Sequence, residues 1–281
     1  MQRNYERAGR LLDDFGADVS LYRRLVATRL RSQMQYRTSF LVTTLVTFLG
    51  LATEFLAILI LFSQFGDLRG WEVGEIALLY AMASIAFGIS NMVGAGFDVF
   101  PESIRRGEFD QVLLRPAGVF TQVLAADFQL RRLSRIVLGF GALGLALSWT
   151  SIVWTPEKLL YLVVVLLCGA VMFTSLLVLG ATICFWTVQS VELINILTHG
   201  GTELTSYPLP IYHELMQRFF TFVVPLAFVS YFPSLYLLDR MDNSDMPGWL
   251  PFLSPLAALL MALVARLAWG FGVRHYRSTG S

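Results

Sequence analysis

The chain has 281 residues, of which 56% are hydrophobic, 14% aromatic and only 15% charged, with a formal net charge of +1. A soluble domain carries about a quarter charged residues, so the composition excludes an ordinary soluble enzyme or nucleic-acid-binding domain and points to a polytopic membrane protein. Cys168 and Cys184 share one apolar run and supply neither a disulfide framework nor metal-ligand spacing, so they read as small packing residues.

Residues 1–38 are polar or basic, with no apolar core followed by a small-residue cleavage site. They read as a cytoplasmic segment rather than a cleaved signal. Within them, Asp18 to Tyr36 predicts an amphipathic helix lying in the membrane interface. Leu21, Leu25, Val26, Leu30 and Met34 recur at helical spacing, and Arg23, Arg24, Arg31 and Arg37 supply a basic face for anionic head groups.

Six apolar runs follow, giving an all-α protein whose transmembrane domain covers residues 39–273, with a cytoplasmic tail at 274–281. A hydrocarbon core of about 30 Å needs about 20 helical residues. Phe40 to Phe62 has one charge in 23 residues, Ile76 to Phe97 none in 22, and Ile136 to Trp154 none in 19. Leu159 to Val191 is uncharged over 33 residues and would overshoot the bilayer, so its last part, around Trp186 to Val191, is expected to leave it. Phe219 to Leu238 makes a fifth span interrupted by Pro225 and Pro233, and Leu250 to Val273 a sixth carrying Arg266.

Six spans put both termini on one side. With the N-terminus cytoplasmic, 17 arginines lie inside, while only Arg69, Lys158 and Arg240 lie outside. That bias fixes the orientation.

The chain also lacks an energy source of its own. A phosphate-binding loop needs a lysine after a glycine, and the sole lysine, Lys158, follows Glu157. An ion-coupled carrier is expected to hold several ionisable residues at mid-membrane, and only Glu54 and Arg266 qualify. They differ by roughly 8 Å in expected height, so Arg266 can bridge toward Glu54 or snorkel to the cytoplasmic interface. Glu54 either faces a translocation path or subunit seam, or is a locally hydrogen-bonded carboxyl. His199, His213 and His275 fall in stretches read as cytoplasmic, without a metal-ligand partner. No catalytic, cofactor or metal site is expected.

The linker after the second span, residues 98–116, is a charged amphipathic patch. Pro101, Glu102 and Ser103 resemble a helix first turn and Gly107 a stop. Phe109, Val112 and Leu113 then form an i, i+3, i+4 stripe, ended by Arg115 and Pro116. This reads either as a solvated loop on the lipid interface or as a short helix that docks into a groove on a soluble partner.

RRGEFDQVLLRP after the second of six spans, together with RFFTFVVPLAFVSYFPSLYLL from Arg218 to Leu238, resembles the type 2 exporter permeases of ATP-binding-cassette transporters. Within these it is similar to the bacterial subfamily that includes viologen and drug exporter permeases. The resemblance implies a non-catalytic subunit of a bacterial inner membrane, paired with a second permease protomer, identical or not, and driven by cytosolic ATPase subunits that hold ATP and Mg. It implies a coupling region at Ile104, Arg105, Arg106, Glu108, Phe109, Asp110, Val112 and Leu113. A short re-entrant gate is implied at residues 234–255, broken by Pro247, Pro251 and Pro255 and preceded by Pro233. A membrane-embedded scaffold that anchors a cytosolic complex without transport is the competing reading.

Overall fold

A computed structural model describes residues 19–65, 70–187, 191–241 and 247–276. Arg3, Arg7, Arg10, Arg69 and Arg277, which entered the charge count, lie outside the described residues, as does the Arg37 side chain. Every regular element among the described residues is helical.

The first helix, α1, spans 19–33, and a 3₁₀ turn at Met34–Tyr36 leads into α2, Arg37–Phe65. Leu21, Tyr22, Leu25, Val26 and Leu30 turn inward while Arg23, Arg24, Arg29 and Arg31 stay exposed. Four of the five stripe residues share this face, while Met34 falls in the 3₁₀ turn and is exposed. Gln33 fixes the end of α1 by donating to the Phe128 carbonyl and accepting from Leu130 N at 3.0 Å.

The central helix is α3, Val73–Arg105. A capping box starts it, with the Glu75 carboxylate accepting from Glu72 N at 2.8 Å. Pro101 sits inside its last turns. From Gly74 to Gly88 every residue is buried, because α6 (Leu133–Trp149), α7 (Pro156–Ile183) and α8 (Val191–Thr205) surround it.

In lipid, burying a leucine gains little over leaving it among acyl chains, so close approach of backbones has to supply the association. Two glycines provide that approach reciprocally. A Cβ on Gly88 would lie 2.7 Å from Ile136 Cγ1 and 3.2 Å from its backbone N, and one on Gly139 would lie 2.7 Å from Ile85 Cγ1 and 3.1 Å from its N. A hydroxyl bond from Thr174 to Ser90, 3.0 Å, joins α7 to α3.

Among the described residues, four stretches are long and apolar enough to cross a membrane: Phe40–Ile60, Val73–Arg105, Pro156–Ile183 and Leu250–His275. A fifth is the pair Glu214–Val223 and Leu226–Leu237, bent by 78°. The bend falls at Pro225, whose missing N–H and fixed φ cannot continue the helix. The expected third span, Ile136 to Trp154, is helical only to Trp149. From Thr150 the chain is extended (ψ 145°) through Thr155 (ψ 156°), the conformation demanded before Pro156 at the first turn of α7. Helix α7 stops at Ile183, so Trp186 is already outside it.

One element was not anticipated. Residues 191–205, read from sequence as cytoplasmic loop, form α8 and pack into the bundle against α3 and α7. Thr198, Thr202 and Thr205 are buried there. After it come α9 (Glu214–Arg218), a π turn (Phe219–Val223), α10 (Tyr231–Leu237) and α11 (Ser254–His275).

Candidate functional site: the coupling segment and the polar seam

The segment after α3 turns sharply at Gly107, whose φ of +69° suits glycine, and forms α4 (Phe109–Leu113) and α5 (Val119–Leu124). The expected short helix is thus present, but its stripe does not point as read. Phe109 is 0% exposed and Ile104 is buried, both inside the chain's own second core. Neither is available to fill a groove on a partner.

Phe109 is held edge-on by Phe100 (5.2 Å between centroids) and Tyr276 (4.8 Å), with Phe185 beside it at 5.6 Å. Trp269 completes the cluster against Phe97, Phe100 and Phe185. These residues come from α3 and α11 and from the chain just after α7 and α11, so α4 is bolted to the ends of three long helices. Beside it, burial and then the adjacent Asp110 carboxylate push the Tyr276 phenol above its ordinary pKa. Gln122 of α5 donates to the carbonyls of Val112 (3.2 Å) and Ala117 (3.0 Å), which closes the turn between the two short helices.

What α4 leaves outward is a different set. Arg105, Arg106 and Glu108 are exposed, Leu113 is 41% and Leu114 85% exposed, and Val112 is half-buried. Glu102 pairs with both Arg105 and Arg106. Leu114 carried no weight in the sequence reading, although an apolar residue beside Leu113 just before Arg115 was the available signal.

The second group lies on α2, α6 and α8. Glu54 on α2 does not meet Arg266, which lines a separate cavity of about 460 Å³ with Val93 and Phe120. Its carboxyl instead comes within hydrogen-bond reach of Glu203 on α8, with Arg135 of α6 in electrostatic range of Glu203. Arg135 lies over the Phe87 ring at 5.0 Å, and His199 packs edge-on against the same ring at 5.5 Å. His199, Gly200 and Glu203 are exposed on one face of α8, and Glu54 is half-buried beside them. Sequence reasoning missed Glu203, Arg135 and His199 as part of this seam because it placed them in loops.

At the other end of α7, α10 finishes against its start. Buried Lys158 donates to the Leu237 carbonyl (3.1 Å) and to the Asp239 carboxylate (2.8 and 2.7 Å). Asp239 itself turns in the left-handed region (φ 54°). Next to it, Arg240 pairs with Glu75 at 2.8 Å, donates to the Gly70 carbonyl at 2.7 Å and lies over Trp71. Pro233 sits buried in the first turn of α10. Pro251 and Pro255 do not break helices but start them, in the first turns of the Leu250–Leu253 3₁₀ helix and of α11. Pro247 is exposed in the turn before.

A long-helix bundle with a short amphipathic element bolted beneath it is an arrangement shared by many transporters, and sequence comparison decides which. The profile of the family described as ABC-2 family transporter protein matches residues 48–280. The chain belongs to the ABC-2 transporter family. No curated protein and no solved structure matches it. As an ABC-2 permease it is the membrane component of a transporter, multi-pass and all-helical, a role that implies association with an ATP-binding subunit.

Proposed function

We propose that this ABC-2 permease is half of the translocation path of an ATP-driven exporter in a bacterial inner membrane, paired with a second permease protomer and moved by separate cytosolic ATPases. The observation that carries the reading is the mounting of α4: its inner face is fixed by Phe109 to α3, α7 and α11, while Leu113, Leu114, Arg105 and Arg106 are left for a partner. A rigid mount of this kind transmits displacement. Nucleotide that binds one state of the ATPase pair better than the other then biases a two-state bundle through it.

Counting α6, 17 residues long, and joining α8 to the bent pair as one interrupted span gives the six crossings expected for such a subunit. The exposed polar face of α8 supports pairing. An ionisable group facing lipid costs about 2.5 kcal/mol or more, so Glu203 and Glu54 need an aqueous path or a second protomer against them.

The orientation is tested by single cysteines in a background lacking Cys168 and Cys184. A cysteine at Glu157, in the first turn of α7, reacts with an impermeant thiol reagent outside intact cells, and one at Glu108 reacts only after permeabilisation. Outside labelling at Glu108 defeats the proposal, because no cytosolic ATPase could reach α4.

The energy source and path are tested together by reconstitution. Purified permease shows no ATPase activity, the complex does, and transport stops when the partner's catalytic residue is removed. Glu54→Gln keeps size but removes charge, so transport of a cationic substrate falls about tenfold, the equivalent of one charge-assisted contact, while ATP hydrolysis persists. Unchanged transport in E54Q removes the carboxyl pair from the path.

A further inference from the structure

Two adjoining cavities at the cytoplasmic end gather arginines that the coupling segment does not use. The larger, about 390 Å³, lies between α1 and the turn before α6 and is lined by Arg29, Ser32, Thr43 and Arg131. The smaller, about 160 Å³, continues between α2, α3 and α6, where Arg131, Arg132 and Arg135 line it. Arg131 belongs to both, so the cavities meet at its side chain.

The charges there are unequally matched. Arg132 is taken up by Asp98 at 2.7 Å, with Asp127 at 4.0 Å and the Asn91 carbonyl at 3.1 Å. Arg131 donates to the neutral Gln129 at 2.6 Å. Arg135 has no carboxylate at ion-pair distance among the described residues and rests on the Phe87 ring, with Glu203 interacting only at longer range. Arg29 is exposed at the mouth of the larger cavity, where Asp127 is the one acidic side chain.

The geometry adds to the charge. Helix α6, 17 residues long, continues here from the 3₁₀ turn Leu130–Arg132, so Arg131 and Arg135 stand one helical turn apart on neighbouring elements. The position adds a third element. The larger cavity borders Phe40, at the cytoplasmic start of the first span, and exposed Leu41 and Leu45 continue from it along α2. An anion held at Arg131 with an acyl tail attached would lay that tail along this face. Basic pockets between spans at the cytoplasmic leaflet recognise phosphate head groups in this way.

We propose that the paired cavities are a binding site for the phosphate of an anionic phospholipid, gripped by Arg131 and Arg135, with Arg29 at the entrance. Occupancy would tie α1 to α6 through the ligand, beside the bonds Gln33 already makes to Phe128 and Leu130. The placement rests on the cytoplasmic orientation argued above, but binding itself requires neither the ATPase nor transport.

The test uses the purified full chain in a neutral detergent, titrated with phosphatidylglycerol, with phosphatidylcholine of the same acyl chains, and with inorganic phosphate, and read by native mass spectrometry. One phosphatidylglycerol per chain binds about thirtyfold more tightly than phosphatidylcholine, the effect of two interfacial arginines. The R131Q/R135Q variant loses that preference, R131K/R135K keeps part of it, because charge remains without the guanidinium fork, and R274Q keeps all of it. Should R131Q/R135Q not fold, R131Q alone serves, since Arg131 is exposed. Equal binding of the two lipids, or an undiminished preference in the glutamine variants, overturns the site. Phosphate that displaces the lipid and binds by itself with the same sensitivity to R131Q overturns the lipid as its ligand. None of these outcomes bears on whether the complex transports.

Discussion

Phe109→Ala is expected to unfold the coupling segment, whereas Leu113→Ser with Leu114→Ser is expected to leave the permease intact and strip it of its ATPase. Phe109 is fully enclosed by rings from α3, α7 and α11, and deleting a buried phenyl ring costs about 3 to 5 kcal/mol through lost contacts and a residual cavity. The site lies beyond the apolar part of the spans, so water exclusion counts here as it does in a soluble core. Detergent-solubilised F109A should melt well below wild type. Leu114 is 85% exposed and Leu113 41%, neither in the buried cluster around Phe109, so L113S/L114S should melt far closer to wild type than F109A. If they fill a groove on the partner, each lost anchor weakens the complex by about 1 to 3 kcal/mol, enough together to abolish copurification at micromolar concentration. An F109A protein as stable as wild type would contradict the buried mounting, and retained ATPase in L113S/L114S would move the docking face elsewhere.

The contrast between Phe109 and Leu114 also marks what a sequence can convey. An i, i+3, i+4 stripe reports that one helix face is covered, and it is silent on whether the cover is the same chain or another. At α4 the cover at Phe109 is Phe100, Phe185, Trp269 and Tyr276, residues scattered over most of the chain and brought together only by the packing of α3, α7 and α11. Long apolar runs were legible because bilayer thickness sets their length. The span expected from Leu159 begins three residues earlier, because Pro156 opens the helix and the Thr155 side chain accepts from Lys158 N at 3.3 Å.

Helix α8 was hidden for a chemical reason. Its threonines, His199 and Glu203 read as a polar loop, yet Thr202 donates to the Thr198 carbonyl (2.8 Å) and Ser206 to the Thr202 carbonyl (2.9 Å). Hydroxyls satisfied within their own helix can be buried without a cross-chain partner. The Glu54–Glu203 approach follows from that missed helix, so it was out of reach once 191–218 had been assigned to the cytoplasm. Of the two alternatives open for Arg266, the bridge to Glu54 is absent for a related reason, since depth along a span does not say which helices face each other.

Gly96→Ala is expected to be the most damaging single methyl in the protein. A Cβ at Gly96 would stand 1.7 Å from the Val123 carbonyl oxygen, 2.9 Å from its carbon and 3.1 Å from the Leu124 oxygen. Those are backbone atoms of α5, so no rotamer change relieves the overlap. Overpacking against a side chain costs roughly 1 to 3 kcal/mol, and here the cost should exceed that or force α5 away from α3. Either response detaches the support of α4, because Gln122 of α5 is what ties the two short helices together. The readout is a cysteine at Val123, which is 3% exposed, in a background without Cys168 and Cys184. It should resist a thiol reagent in the otherwise native chain and react readily in the G96A protein, with ATP-driven transport lost in parallel. Gly141→Ala, on an exposed stretch of α6 with nothing within 4 Å of the added carbon, is the control and should change neither. A protected Val123 cysteine and normal transport in G96A would mean that α5 does not lie against α3, and with it the mount that lets a partner on α4 move the spans would be gone.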